Sequence, residues 1–289
     1  MSWMKLGDVG IGRVLESNGP FMRIYDFFPD ATPEALAPHR EWLAQGALDA
    51  HDFLVMPIQS YVVRTPQSTI LVDSCVGNHK SVTWFPEWDQ KTGDAWERSL
   101  AALGLGVADI DVVLCTHLHV DHSGWNTRRV DGRWVPTFPN ARYVLSRREV
   151  AAAERAYEKY QDPVWKENVE PVITAGQALL VDDDHEVDAC VHLEPTPGHT
   201  PGHCAVHIHH RGHDAVVTGD LIHSPIQCHF PHWNFKFDAD KPLAAATRSA
   251  FLERYGDSAT RVLTAHFPLP SCGHIRRAGD AWHFHYDDA

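Results

Sequence analysis

The run DVVLC (residues 111–115) passes directly into THLHVDH (116–122), and no other junction limits the fold of this chain as tightly. A short, largely apolar run of this kind reads as a buried strand. Side chains two apart on a strand point the same way, so His117 and His119 reach one side just past its end. The adjacent Asp121 and His122 point apart and suit a second ion beside the first. Neutral imidazole and carboxylate are donors that a borderline divalent cation such as zinc accepts, and the lack of nearby thiolates disfavours a closed structural site. Four donors do not complete two ions, so the remainder must come from other strand ends.

The chain supplies such ends in an alternating order. FLVMPIQSYVVRT (53–65) and STILVDS (68–74) read as a hairpin turning at Thr65-Pro66-Gln67. From Asp94, a candidate cap, Trp96, Leu100 and Leu103 recur at helical spacing, with Glu97 in the first turn and Gly104 at the end. The strand 111–115, the donor-rich loop, the strand ARYVLS (141–146) and a helix from about Arg147 to Lys159 follow. CVHLEPT (190–196), HCAVHIHH (203–210) and DAVVTGD (214–220) then predict three strands, the last two joined at Arg211-Gly212. A helix from about Lys241 to Tyr255, with Leu243, Ala246, Ala250 and Phe251 on one face and Gly256 as its stop, leads to the strand TRVLTAH (260–266). The repeated order predicts a single domain over residues 1–289 made of two similar α/β halves. His199 in PTPGHTPGH, Asp220 at the end of DAVVTGD and His266 at the end of TRVLTAH all fall at carboxyl ends of predicted strands. Open α/β sheets gather their chemistry at that edge.

Composition narrows the partners. A chain of 289 residues, 44% hydrophobic and 22% charged, has material for a large core. Its net charge of -13, with no arginine run longer than the scattered pairs Arg128-Arg129, Arg147-Arg148 and Arg276-Arg277, offers no basic stripe for a phosphate backbone, so no nucleic-acid partner is expected. No run approaches the roughly 18 apolar residues of a membrane span, and the amino terminus lacks a signal-type apolar core. The expectation is a cytoplasmic protein without a membrane partner. Cys75, Cys115, Cys190, Cys204, Cys228 and Cys272, with no C-x-x-C pair, are expected as reduced, mostly buried thiols.

The series THLHVDH, PGHTPGH with His199, TGD with Asp220 and TAHF with His266, preceded by Asp73 in ILVDSCVG, resembles the successive metal-binding motifs of the metallo-β-lactamase superfamily. The motifs run in that family's order over roughly residues 50 to 275. The resemblance implies an α/β four-layer αβ/βα sandwich holding two divalent metal ions per chain, zinc first, with manganese, iron or cobalt as alternatives. It implies His117, His119 and His199 on the first ion, Asp121, His122 and His266 on the second, and Asp220 bridging, with Asp73 orienting a ligand histidine. The implied reaction is hydrolysis by a metal-bridging hydroxide, since paired ions lower the pKa of a shared water to about 7. Asp121 would also orient that nucleophile or carry a proton.

The bridging Asp220 is unlike the Cys or His of true zinc β-lactamases, and His119 is unlike the Glu of the superfamily's diiron flavoproteins. GDLIHSPIQ (219–227), FDADKPLAAATRSAFLERY (237–255) and AHFPLPSCGHIRR (265–277) are similar to the branch of lactone hydrolases and methyl parathion hydrolases. Small acyl-homoserine lactonases carry a Tyr three residues after the bridging Asp, where this chain has His223. His223 either donates a hydrogen bond to the substrate carbonyl or packs behind the ligands. The implied function is hydrolysis of a small ester-like molecule, a lactone first and an aryl ester or phosphotriester second, with Asp121 and His223 as catalytic residues. The rivals are a mononuclear iron enzyme like the superfamily's persulfide dioxygenases and a non-catalytic binding module. TWFPEW (83–88) and CHFPHWNFKF (228–237) offer either walls for an apolar group, or core packing and a homodimer contact. His207, His209, His210, His213, His283 and His285 read as exposed, and His203 as a support of its turn.

Overall fold

The computed structural model describes residues 3–287. The chain separates into two compact units, Met1–Ser17 with Ile58–Cys190, and Asn18–Pro57 with Val191–Ala289. A seven-stranded sheet takes Met4–Leu6, Val9–Arg23, Phe53–Arg64, Thr69–Val72, Val112–Leu114, Arg142–Ser146 and Ala178–Val181 in that order. It belongs mainly to the first unit, and the strands Val9–Arg23 and Phe53–Arg64 continue across the chain's unit boundaries. The predicted hairpin is present with Arg64 opposite Thr69. Its turn is closed by Thr65 Oγ1, which accepts the N–H groups of Gln67 and Ser68 at 3.1 and 3.0 Å. Val112–Leu114 lies parallel to both neighbours in mid-sheet, and its Val113 and Leu114 are fully buried, as its apolar run requires.

The second unit holds a six-stranded sheet of Val191–Pro195, Cys204–His210, His213–Val217, Arg261–Leu263, Cys272–Ala278 and Ala281–Tyr286, again in chain order. Two apolar clusters fill this unit. One gathers Ile24, Phe27, Phe28, Leu36, Leu43 and Leu54 around Ile226, Trp233 and Phe235, and the other sets Phe251, Leu252 and Tyr255 against Val216, Val262 and Trp282.

Several details differ from the sequence expectation. Asp94 stands at the N-cap of the helix Ala95–Ala101 without a side-chain cap bond and faces Arg98 Nη2 at 3.5 Å instead. The helix Lys241–Tyr255 buries Ala244, Arg248, Phe251, Leu252 and Tyr255, so its inner stripe runs one residue off the face read from its apolar side chains. The cause is Arg248, a charged residue that is wholly buried. Gly256 stops that helix with φ −62°, outside the left-handed region. What demands glycine there is the Trp282 ring, which a Cβ would approach to 2.2 Å. Asp220 and His266 each lie three residues beyond a strand, since those strands end at Val217 and Leu263. The six cysteines are free, five of them buried. Among the described residues no helix is long and apolar enough to cross a membrane.

Candidate metal centre

The donors fall into two sets, one in each unit. In the first, the chain leaves Val112–Leu114 and turns through His117 to a one-turn helix, Val120–Ser123, capped by His119. The ring of His117 is 4.6 Å from that of His119 and 4.1 Å from that of His122, centroid to centroid. Asp121 Oδ2 lies 3.5 Å from His122 Nε2. Asp73 organises this set, as expected of it. Its backbone is in the left-handed region at φ 59°, which short polar residues tolerate. One carboxylate oxygen accepts the Thr116 N–H at 2.7 Å, and the other accepts the Thr116 hydroxyl at 2.9 Å and His122 Nδ1–H at 2.8 Å. The Thr116 hydroxyl, having given its proton to Asp73, accepts from His117 Nδ1 at 3.1 Å.

In the second unit Asp220 is the centre, held in a 3-10 turn at Gly219–Leu221. His266 Nε2 lies 3.0 Å from its Oδ1, while His223 Nε2 and His199 Nε2 lie 3.2 and 3.5 Å from its Oδ2. His203 supports this turn through a specific contact. Its Nδ1 pairs with Thr196 Oγ1 at 2.8 Å, so its Nε2 accepts the Asp220 backbone N–H at 2.9 Å. His266 Nδ1 donates to Pro57 O at 3.0 Å, and His199 Nδ1 to Asp238 Oδ1 at 2.8 Å. The turn carrying His199 needs glycine at 198: φ is +133°, and a Cβ would come within 2.4 Å of Ala244 Cα.

Asp238 and Arg248 stand behind His199 and were not singled out by the sequence reading. Asp238 Oδ2 accepts the Phe235 N–H at 3.0 Å and faces Arg248 Nη2 at 3.4 Å. Arg248 also donates to the carbonyls of Leu221, Pro231 and Trp233 at 2.9, 2.7 and 3.0 Å. Burial alone would raise the Asp238 carboxyl, but the His199 hydrogen bond and the charges of His199, His223 and Arg248 outweigh it and hold it below its usual value. The sequence signal was faint, because DAD before a helix reads as a cap. Asp240 does serve as that cap, accepting the Leu243 N–H at 3.1 Å.

His223 is 2% exposed and lies between aromatic rings, 5.3 Å from Phe27 and 4.8 Å from Phe235. Its backbone N–H donates to Gln227 Oε1 at 2.7 Å, but neither ring nitrogen makes a hydrogen bond among the described residues. Of the two aromatic stretches, Trp84 is 56% exposed beside Phe85 and Trp88, whereas Trp233 and Phe235 are core residues and Phe237 is 53% exposed. His207, His210 and His283, expected to be exposed, are half-buried.

The chemistry of the donors fits divalent metal ions. Tethering through Nδ1 leaves the lone pair of a neutral imidazole on Nε2. In the second unit these Nε2 atoms face carboxylate oxygens, an arrangement that repels unless a proton or cation lies between. Two donors sharing an ion at about 2.0–2.1 Å each stand about 3.3 Å apart at the tetrahedral angle. The ligand contacts to Asp220, 3.0 Å for His266 and 3.5 Å for His199, bracket that spacing.

Residues 54–266 match the family model of the metallo-beta-lactamase superfamily. An N-acyl homoserine lactonase of Bacillus cereus is 26% identical over 164 residues, 53% of this chain and 58% of that protein. The N-acyl homoserine lactonase AiiA of Bacillus thuringiensis subsp. kurstaki is 27% identical over 174 residues, 56% of this chain and 62% of that protein. The chain thus spans little more than half the length of these curated relatives. Among solved structures, the dizinc quorum-quenching lactonase AidC superposes with a TM-score of 0.81 at 23% identity, covering 100% of this chain and 97% of that one. The hydrolase AbOPH, of the beta-lactamase superfamily, gives 0.81 at 24% identity, covering 99% and 98%. At these identities the likeness shows a common fold.

Proposed function

The chain belongs to the metallo-β-lactamase superfamily, and from that premise we propose that it is a dinuclear metal-dependent hydrolase of a small ester-like substrate, a lactone first. In this reading His117, His119 and His199 hold one ion, Asp121, His122 and His266 hold the other, and Asp220 bridges. Bound divalent ions would supply Lewis acidity and a water whose pKa falls to about 7. The observation that carries the reading is the tethering of His117, His122, His199 and His266 through Nδ1, which fixes four Nε2 lone pairs before any ion arrives.

The remaining roles belong to the chain's own side chains. Asp121, with 14% of its side chain exposed, takes up the proton released during attack. His223 donates a hydrogen bond to the substrate's carbonyl oxygen. Its Nδ1 is buried with no hydrogen bond among the described residues, while its Nε2 faces Asp220 Oδ2 at 3.2 Å. The lactonases among the relatives support a lactone as the substrate class.

The test is a turnover panel of lactones, aryl esters, thioesters, phosphotriesters and β-lactams on metal-loaded protein, with metal content measured alongside. Lactone turnover with two zinc-class ions per chain is expected. A single iron per chain, or thioester turnover with silence toward lactones and aryl esters, would overturn the proposal.

A further inference from the structure

The one-turn helix Val120–Ser123, which carries Asp121 and His122 just after His119, is too short to hold its shape unaided and needs pins from outside. Its pins meet at the His119 carbonyl, which accepts three donors: the N–H groups of His122 and Ser123, each at 3.1 Å, and the Ser123 hydroxyl at 2.8 Å. A carbonyl can only accept, so the Ser123 proton is committed to it, and whatever faces the hydroxyl's lone pair must be a donor. Asn168, 1% exposed, fills that place, its Nδ2 donating to Ser123 Oγ at 3.0 Å. Its Oδ1 is buried and makes no hydrogen bond among the described residues. One bond made and one buried acceptor stranded leave this amide little net stability to contribute.

Asn168 stands in a π turn, Trp165–Val169, closed by the Glu170 N–H on the Trp165 carbonyl. Turns of this kind are rare and gather at functional sites. The preceding residue anchors it: the Glu167 carboxylate accepts the Ser81 hydroxyl at 2.6 Å and the Ser81 N–H at 2.9 Å, and its carbonyl accepts Lys80 Nζ at 3.2 Å and the Thr127 hydroxyl. Thr127 Oγ1, having given its proton away, accepts from Lys80 Nζ at 2.7 Å. The Asn168 amide is therefore aimed from a fixed base. We infer that Asn168 is a positioning residue: through the Ser123 hydroxyl it holds the turn at the angle at which His119, Asp121 and His122 meet their ions. The inference rests on the reading of those three residues as ligands. Without the amide, the hydroxyl is free to rotate off the His119 carbonyl, and the turn is left on its two longer backbone bonds.

The experiment compares wild type, Asn168→Leu, Ser123→Ala and the double variant, each stripped with chelator and reloaded. Zinc affinity is read by chelator competition, coordination geometry by the visible spectrum of the Co2+-loaded protein, and stability by melting in chelator. Asn168→Leu should bind zinc about 10–100-fold more weakly and shift the Co2+ bands, while its metal-free form melts near the wild-type temperature, since leucine removes the stranded acceptor together with the donor. The double variant should bind zinc no more weakly than Ser123→Ala, because Asn168 acts through that hydroxyl. Asn168→Ala takes the place of Asn168→Leu in the zinc and cobalt measurements should the leucine prevent folding. Wild-type affinity and spectrum in the Asn168 variant, a metal-free Asn168→Leu protein that melts far below wild type, or affinity losses that add in the double variant would overturn the inference alone. Wild type that takes up no tightly bound zinc would refute the ligand assignment, and the inference with it.

Discussion

Replacing Asp238 by Asn separates two duties of one carboxylate, steadying a ligand histidine and neutralising a buried guanidinium. The Asp238 and Arg248 side chains are 0% and 1% exposed and approach to 3.4 Å. The amide would leave Arg248 with only the carbonyls of Leu221, Pro231 and Trp233. Stranding a buried charge costs about 3–5 kcal/mol, the same scale as the direct attraction of about 5 kcal/mol at that separation and an effective dielectric constant of about 20. At about 2–4 °C per kcal/mol for a large domain, the metal-free variant should melt about 6–20 °C lower. The new Oδ1 can still accept from His199 Nδ1, so ion affinity should fall by about 10–100-fold and not vanish. Asp73→Asn is the matched comparison. Asp73 steadies His122 but faces no buried arginine, so it should show the affinity loss with a stability loss of only about 1–2 kcal/mol. Calorimetric melting in chelator and a chelator-competition titration with zinc give the two numbers. A metal-free Asp238→Asn protein that melts with the wild type, or two variants that behave alike, would refute the reasoning.

Other outcomes follow from the same geometry. His223→Phe keeps the ring contacts with Phe27 and Phe235 but removes the N–H, so kcat on a lactone should fall about 100-fold at unchanged metal content and melting temperature; an unchanged rate would reduce His223 to packing. Gly198→Ala places a Cβ 2.4 Å from Ala244 Cα at a φ of +133° and should cost about 1–3 kcal/mol while loosening ion binding, read by thermal melting and zinc titration. His39, His229 and His283 stand 4.3 and 5.5 Å apart in succession, and burial first, then neighbouring imidazoles, lowers all three pKa values. Below about pH 6.5 the unfolded chain therefore takes up protons before the folded one, so stability is full above that pH and declines as pH falls. Denaturant unfolding at pH 7.5 and 5.5 should show this decline, and His229→Phe should flatten it; equal slopes would refute the assignment.

The sequence made legible what is local. The donors of THLHVDH, the glycine-bounded His199 and the strands before Asp220 and His266 are written in short motifs, because coordination and tight turns each demand particular residue types. Asp238 and Arg248 were hidden for the opposite reason. A buried arginine looks like an exposed one to any reading of polarity, and here it displaced the inner face of its helix by one position. The strand Val9–Arg23 was not read from the sequence, and it carries Gly10, Gly12, Gly19 and Pro20, residue types depleted in strands. Likewise His283 and His285 read as exposed side chains with no strand assigned to them, whereas HFHY pairs with Cys272–Ala278, Arg276 opposite His283. Both strands depend on distant partners that no local pattern announces.

The division of the second unit into Asn18–Pro57 and Val191–Ala289 also sets a timetable for synthesis. Ile24, Phe27, Phe28 and Leu36 leave the ribosome early, yet Ile226, Trp233 and Phe235, which cover them, are translated far later. At about 5–20 residues per second, the last hundred or so residues take about 5–20 s. Over that interval the first unit has all of its chain, while an apolar amino-terminal segment waits uncovered. A slower ribosome would lengthen that interval.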